Sequence, residues 1–167
     1  MFDSNLWTKN DVVRQIDEYG PCTTKLDYIG AIIGSIFLIR DDGSLLMQLR
    51  DEYPYLRHSG LWVPPGGHMN FGETLKDVAI REFREETQLV YKKIQWLKAI
   101  EVLLYPWPTY LLGIFWVRYD NQPFKCQEGR DLAFVSPSEA TQFPMPHFIA
   151  QIWYEILLLT NNNFPKI

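Results

Sequence analysis

Cysteine is nearly absent from this chain: Cys22 and Cys126 are the only two in 167 residues. Two thiols support neither a disulfide framework nor a four-cysteine zinc site, and so few of them suit a reducing cytoplasm. A basic block is missing as well, since 16 Lys and Arg face 20 Asp and Glu for a net charge of −4. That balance excludes a general nucleic-acid coat, which must neutralise a run of phosphates, so no stable nucleic-acid partner is expected. It still allows a small phosphorylated substrate whose charge is met by a metal and a few placed cations. Long apolar runs are lacking too. The longest, around Ile32–Ile39 and Tyr110–Val117, are too short to cross a bilayer and read as strands, so no membrane partner is expected. The N-terminus, with Asp3, Lys9, Asn10 and Asp11, has no signal-peptide core. Repeats, low-complexity tracts and interdomain linkers are also absent.

What remains is a chain that is 47% hydrophobic, enough to build the core of one domain. Thr8–Tyr19 reads as a short amphipathic helix with Val12, Val13 and Ile16 on one side, ended by Gly20-Pro21. From Leu26 the pattern becomes strand-like. Ile29–Arg40 runs into Asp41-Asp42-Gly43, a tight hairpin turn, and Leu45–Arg50 is the return strand. Asp51–Gly60 is a polar loop carrying Tyr53, Tyr55, Arg57 and His58. Two further strands, Ile94–Tyr105 and Tyr110–Tyr119, flank Pro106-Trp107-Pro108, and a last strand, Leu132–Val135, meets a helix start at Ser136-Pro137. Pro146 opens a terminal helix with Ile149, Ile152, Trp153 and Ile156 at helical spacing. Residues 1–26 are read as an N-terminal helical extension that packs on the domain or on a second copy, so a homodimer is a candidate state. Residues 27–167 are the domain itself.

Between the loop and the later strands lies the most informative stretch. Pro65-Gly66-Gly67 is a loop signal, and Thr74 followed by Asp77 three residues on resembles a capping box, so a helix should begin near Leu75. On that helix Glu82, Glu85 and Glu86 fall at i, i+3 and i+4 and share one face. The same face carries Leu75, Val78, Ala79 and Phe83, so the carboxylates continue the apolar stripe. Ordinary surface helices keep charge away from that stripe. Like charges on a half-buried face repel and resist desolvation, and a hard divalent cation with oxygen ligands removes the conflict. The bland alternative, a solvated Glu-Glu pair, applies to most such pairs taken alone.

The wider pattern decides between them. Gly67, five residues, Glu73, seven residues, Arg81-Glu82, the apolar Phe83, then Glu85-Glu86 and Leu89 resembles the Nudix box, Gly-x5-Glu-x7-Arg-Glu-U-x-Glu-Glu-x-Gly-U, where U is bulky and apolar. Gln88 replaces the closing glycine, the one departure, at the position where glycine would supply a positive φ as helix cap. Trp62-Val63-Pro64-Pro65-Gly66-Gly67 is similar to the usual lead-in. The resemblance covers roughly Asp27–Leu158 and implies an α/β fold, a Nudix-type α/β/α sandwich around a mixed β-sheet. It implies hydrolysis of the pyrophosphate bond of a nucleoside diphosphate derivative, here a nucleoside triphosphate, oxidised or not, with Mg²⁺ as the cofactor and Mn²⁺ as its alternative. A small-molecule nucleotide is the expected partner.

Carried over residue by residue, the resemblance implies that Glu82, Glu85 and Glu86 hold the metal, with Glu85, Glu86, Arg81 and Glu73 forming the catalytic group and Arg81 and Glu73 orienting the helix. Gly66 and Gly67 bring backbone near the substrate. Glu128, in Gln127-Glu128-Gly129 before the last strand, matches a Glu-Gly pair of MutT-like members and is the candidate fourth carboxylate. Arg50 and Arg57 are the candidate phosphate-gripping cations, and His68 the candidate second contact to phosphate or metal. Trp62 and Trp107 adjoin loops and are the aromatics suited to stacking on a base. Two readings compete: a nucleotide-sugar or dinucleotide pyrophosphatase of the NADH or ADP-ribose type, since Tyr105-Pro106-Trp107-Pro108 is similar to a signature of NADH diphosphatases, and a non-catalytic nucleotide-binding module. Retention of all three helix glutamates argues against the second.

Overall fold

The computed structural model describes residues 12–16, 29–104 and 106–161. Its centre is β2 (Ile29–Ile39), a strand whose β-branched run suits a fully covered sheet position. Alternation along it assigns the two faces, with Ile36 and Leu38 packing on one side and Phe37 and Ile39 on the other. The hairpin turn at Asp41-Asp42-Gly43 returns the chain into β3 (Leu45–Leu49), with Gly43 at φ +86°. Beyond the loop come β4 (Trp62–Val63), β5 (Gly66–His68), α1 (Leu75–Thr87), β6 (Gln95–Leu103), β7 (Thr109–Arg118) and β8 (Asp131–Val135). The final helix, α2, spans His147–Asn161.

The sheet is mixed. β2 pairs in parallel with β7, β6 and β7 are antiparallel, and β3 adds to β2 across the hairpin. β5 pairs with β2 at Ile33–Ser35, and β8 pairs with β3. Helix α1 covers one face through Ala79 and Phe83, against Ile36, Leu38, Leu46 and Phe115. Helix α2 covers the other through Ile149, Ile152, Trp153 and Ile156, against Phe37, Met47 and Ile114. This is the expected α/β/α sandwich. Among the described residues no helix is long and apolar enough to cross a membrane.

Three local expectations change. Val12–Ile16, expected within a helix, is instead β1, an antiparallel partner of β6. β-branched residues at 12, 13 and 16 satisfy either pattern, and a free sheet edge selects the strand. The rest of Thr8–Tyr19, with Gly20-Pro21 and Cys22, lies outside the described residues. Ser136-Pro137 opens a turn and then a single 3-10 turn, Ala140–Gln142, instead of an α-helix. Gly66-Gly67, read as a loop signal, lie with His68 in the short strand β5, and Trp62-Val63, to which no element was assigned, form the short strand β4.

Helix α1 is bounded by local chemistry. Thr74 Oγ1 accepts from the Asp77 backbone N–H at 3.2 Å and Asp77 Oδ2 accepts from the Thr74 backbone N–H at 3.0 Å, a reciprocal capping box. At the far end Gln88 occupies the glycine position in the left-handed conformation, φ 64°, its N–H donating to the Arg84 carbonyl. A side chain there costs roughly 1–2 kcal/mol, part of which glycine would return through its unfolded-state freedom. Gln88 is exposed, so nothing packed is lost. Gln88→Gly is expected to stabilise the fold by about 0.5–1 kcal/mol, a rise of roughly 1–4 °C in Tm. An unchanged or lower Tm by calorimetry would show that the cap carries no strain.

Candidate active site

The site grows from the contact between α1 and β5. Gly66 lies so close to Gly34 and Ser35 of β2, and Gly67 so close to Glu82, that a Cβ on either would strike those neighbours. This is the close approach that glycine permits. It lets the Gly66 N–H donate to Glu86 Oε2 at 2.8 Å. Pro65 is fixed behind it, its carbonyl accepting from Ser35 Oγ at 2.8 Å.

Glu86 is the unusual member, a carboxylate only 4% exposed in the helix stripe. Burial pushes its pKa up to about 8, opposed by the Gly66 N–H and Arg50 and reinforced by the negative charges of Glu128 and Glu82. Arg81 gathers the neighbouring charges. It bonds Glu73 through Nε at 2.5 Å and Nη2 at 2.9 Å, Glu82 through Nη1 at 2.6 Å, Glu85 through Nη1 at 3.2 Å, and the His68 carbonyl through Nη2 at 3.0 Å. That fork holds the Glu73 carboxyl down at about 2, aided by the Asn70 N–H, and raises Arg81 further above its usual range.

Glu128 reaches the site because its loop is pinned on both sides. The Gln127 N–H donates to the Glu86 carbonyl at 3.0 Å, the Arg130 N–H to the Leu49 carbonyl at 2.8 Å, and buried Gln48 Nε2 to the Glu128 carbonyl at 2.8 Å. Gly129 makes the turn at φ +77°.

These elements enclose a cavity of about 500 Å³ whose wall includes Glu82, Glu86, Glu128, Arg81, Gly66 and Gly67. Arg50, Arg57 and exposed His68 line it as well, so nine of the eleven residues singled out from the sequence face one space. Glu73 and Glu85 do not line it; both are engaged by Arg81, and the Glu85 side chain is 50% exposed. Trp107 lines the cavity, whereas Trp62 is buried edge-on against Phe143 and belongs to the core. The sequence reading passed over His58. Its Nε2 is 2.9 Å from the Tyr110 hydroxyl, and burial, with Arg50 and Arg57 nearby, lowers its pKa to about 4. It is therefore a neutral imidazole in the cavity wall.

The donors suit a hard cation by chemistry, being carboxylate oxygens with like charges brought together around a buried member. Among the described residues no three carboxylates, imidazoles or thiols already converge as a metal cage. Arg81 and the Gly66 N–H hold those oxygens instead, so a bound ion would have to draw them in.

A model of the NUDIX domain matches residues 31–155. Over 67 residues the chain is 31% identical to an m7GpppN-mRNA hydrolase, NUDT17, of Xenopus laevis, covering 40% of this chain and 23% of that protein. The chain thus spans about a fifth of the length of the curated relatives it matches. Among solved structures, a MutT NUDIX hydrolase from Burkholderia pseudomallei superposes with a TM-score of 0.66 at 17% identity, over 75% of this chain and 97% of that one. The NUDIX domain of Shewanella oneidensis NrtR, complexed with ADP ribose, gives 0.65 at 18% identity, over 78% and 88%. Likeness at these identities speaks for the fold.

Proposed function

This chain belongs to the NUDIX domain family, and from that premise we propose that it hydrolyses the pyrophosphate bond of a nucleoside triphosphate in a reaction supported by Mg²⁺, or by Mn²⁺ in its place. The observation that carries the reading is buried Glu86, facing one cavity with Glu82 and Glu128 while its own Oε2 is tied to the Gly66 N–H. A structural helix gains nothing from a buried carboxylate beside two others. A cavity of about 500 Å³ is also the size of a single small ligand.

Glu82, Glu86 and Glu128 would hold the ion. When bound, a divalent cation neutralises pyrophosphate oxygens and makes a bound water more acidic. The chain's own groups supply the rest. Arg81 and Glu73 fix the helix face that presents Glu82, and the Gly66 N–H orients Glu86. Gly66 and Gly67 let this backbone lie directly against β2 and the Glu82 carboxylate, since any Cβ there would strike them. Arg50 lines the cavity with its Nε bonded to the Arg57 carbonyl at 3.0 Å, which leaves its other donors for a phosphate. Glu85 is half exposed and lies outside the cavity that Glu82, Glu86 and Glu128 line, so Glu85→Gln is expected to cost less activity than Glu86→Gln.

The test is a panel of nucleoside triphosphates, dinucleotides and nucleotide sugars with Mg²⁺, Mn²⁺ and excess chelator, read as phosphate and pyrophosphate release. Turnover of a triphosphate that stops in chelator is the expected result. Turnover that survives chelation would sink the metal role, and exclusive cleavage of a sugar or dinucleotide conjugate would replace the substrate class.

A further inference from the structure

A buried amide lies beneath the loop that carries Glu128. Gln48 stands in β3 between Met47 and Leu49 and is 2% exposed. It falls on the same face of the strand as Leu46, which packs under α1 with Ala79 and Phe83. An apolar side chain would fill such a position without polar cost, whereas a buried amide is costly unless it is hydrogen-bonded. Gln48 does not line the cavity, so contact with a ligand there does not account for it.

The Glu128 backbone does. Gln48 Nε2 donates to the Glu128 carbonyl at 2.8 Å, and since a carbonyl can only accept, the amide nitrogen is the atom that faces it. The Cys126 thiol, a weaker donor, reaches the same oxygen at 3.1 Å. The backbone ties of this loop lie to either side, from the Gln127 N–H to the Glu86 carbonyl and from the Arg130 N–H to the Leu49 carbonyl. Between them is Gly129 at φ +77°. A Cβ on Gly129 would stand 2.7 Å from the Leu49 carbonyl oxygen and 3.0 Å from Gln48 Cγ, so the loop rests directly on the Gln48 stem. Glycine takes either sign of φ, and the ties at 127 and 130 leave the Glu128–Gly129 peptide free to turn over between them. The Gln48 amide selects the orientation in which Glu128 joins Glu82 and Glu86 in the cavity wall.

We propose that Gln48 is a positioning residue for the metal carboxylates: it fixes the Glu128 backbone from inside the sheet and so sets that side chain beside Glu82 and Glu86 without itself touching ion or substrate. The inference rests on the nucleotide-hydrolase reading above, in which Glu128 is an ion ligand. Outer partners that orient a metal ligand act on affinity through the ligand they hold, and that route distinguishes positioning from mere packing.

The experiment measures Mn²⁺ binding to the full chain by electron paramagnetic resonance, with kcat/KM on the best triphosphate of the panel as a second reading. Gln48→Met keeps the length of the side chain and removes the donor, and Gln48→Asn keeps the amide but stops one methylene short of the carbonyl. Each is expected to weaken Mn²⁺ binding by roughly tenfold or more. Glu128→Gln should weaken it as well, and adding Gln48→Met to Glu128→Gln should cost no more than about twofold further, because the amide acts through that carboxylate. Wild-type affinity in both Gln48 variants overturns the proposal. So does a loss from Gln48→Met that persists undiminished beside Glu128→Gln, which marks a general loosening of β3. Unchanged affinity in Glu128→Gln takes that residue out of the ligand set, and the positioning role falls with the metal assignment. The expected pattern of affinities without cleavage of any pyrophosphate bond would instead fault the hydrolase reading and leave Gln48 as the residue that positions Glu128.

Discussion

Glu86→Gln is expected to remove Mg²⁺-supported turnover, by on the order of a thousandfold or more, and yet to stabilise the chelated protein at pH 8.5. The two effects share one cause. In the metal-free fold the Glu86 pKa is raised from 4.5 to about 8, burial being the largest contribution. Because the folded value is raised, the native state holds a proton that the unfolded chain releases between about pH 4.5 and 8. Unfolding therefore becomes easier as pH rises through that window, and the penalty is complete above it. A shift of this size corresponds to a few kcal/mol. Gln cannot ionise, and its carbonyl still accepts from the Gly66 N–H, so the variant escapes the penalty. Thermal melts in chelator should coincide at pH 4.5, with the variant melting higher at pH 8.5. In Mg²⁺ the order should narrow or reverse, because only the carboxylate draws stability from the ion. Parallel pH profiles for the two proteins in chelator would show that Glu86 is not held in the environment described. Full turnover by the variant would remove it from the chemistry.

The part of this site that could be read in the sequence is the part built by short spacings. The capping box at Thr74 and Asp77, the helix face, and the Arg81 and Glu82 pair are set by separations within a few turns, and α1 begins at Leu75 as expected. Even there, spacing alone did not separate Glu85 from Glu86. The two are adjacent, but the 3.6-residue period turns Glu86 into the stripe and leaves Glu85 half exposed on Arg81. Tertiary pairing decided the rest. β1 is a strand because β6 offers it an edge, and β4 and β5, two and three residues long, are too short to show a period. His58 looked like a loop histidine because its burial comes from Tyr110 and Phe148, 52 and 90 positions away. Glu128 was legible as a residue of the right type in the right order, but what brings it to the cavity is the pinning of its loop to Glu86 and Leu49.

If the glutamates it holds bind the ion as proposed, Arg81→Ala should lower kcat/KM by roughly tenfold to a hundredfold, the usual cost of removing a group that positions metal ligands, and Arg81→Lys should recover little of it. The guanidinium is a fork that meets both oxygens of Glu73, one each of Glu82 and Glu85, and the His68 carbonyl. An ammonium is a single charge on a flexible stem and cannot span those positions together. Without the fork, Glu82 loses its tether next to Gly67 and is free to turn from the cavity, while Glu85 repels it. The acid side of the stability profile should change as well. Glu73 is held at about 2 against an ordinary value of 4.5, chiefly by the Arg81 hydrogen bonds. A lowered carboxylate pKa contributes stability above the unfolded value that disappears as pH falls through the folded one. The wild type should therefore melt above Arg81→Ala at pH 6, with the gap closing between about pH 4.5 and 2. Solvent screening keeps that gap modest, because the cluster is partly exposed. The kinetic loss is the larger effect, because the geometry of Glu82 depends on all of these contacts at once. Arg81→Lys with wild-type kcat/KM would show that charge alone, without the fork, is what this helix face requires.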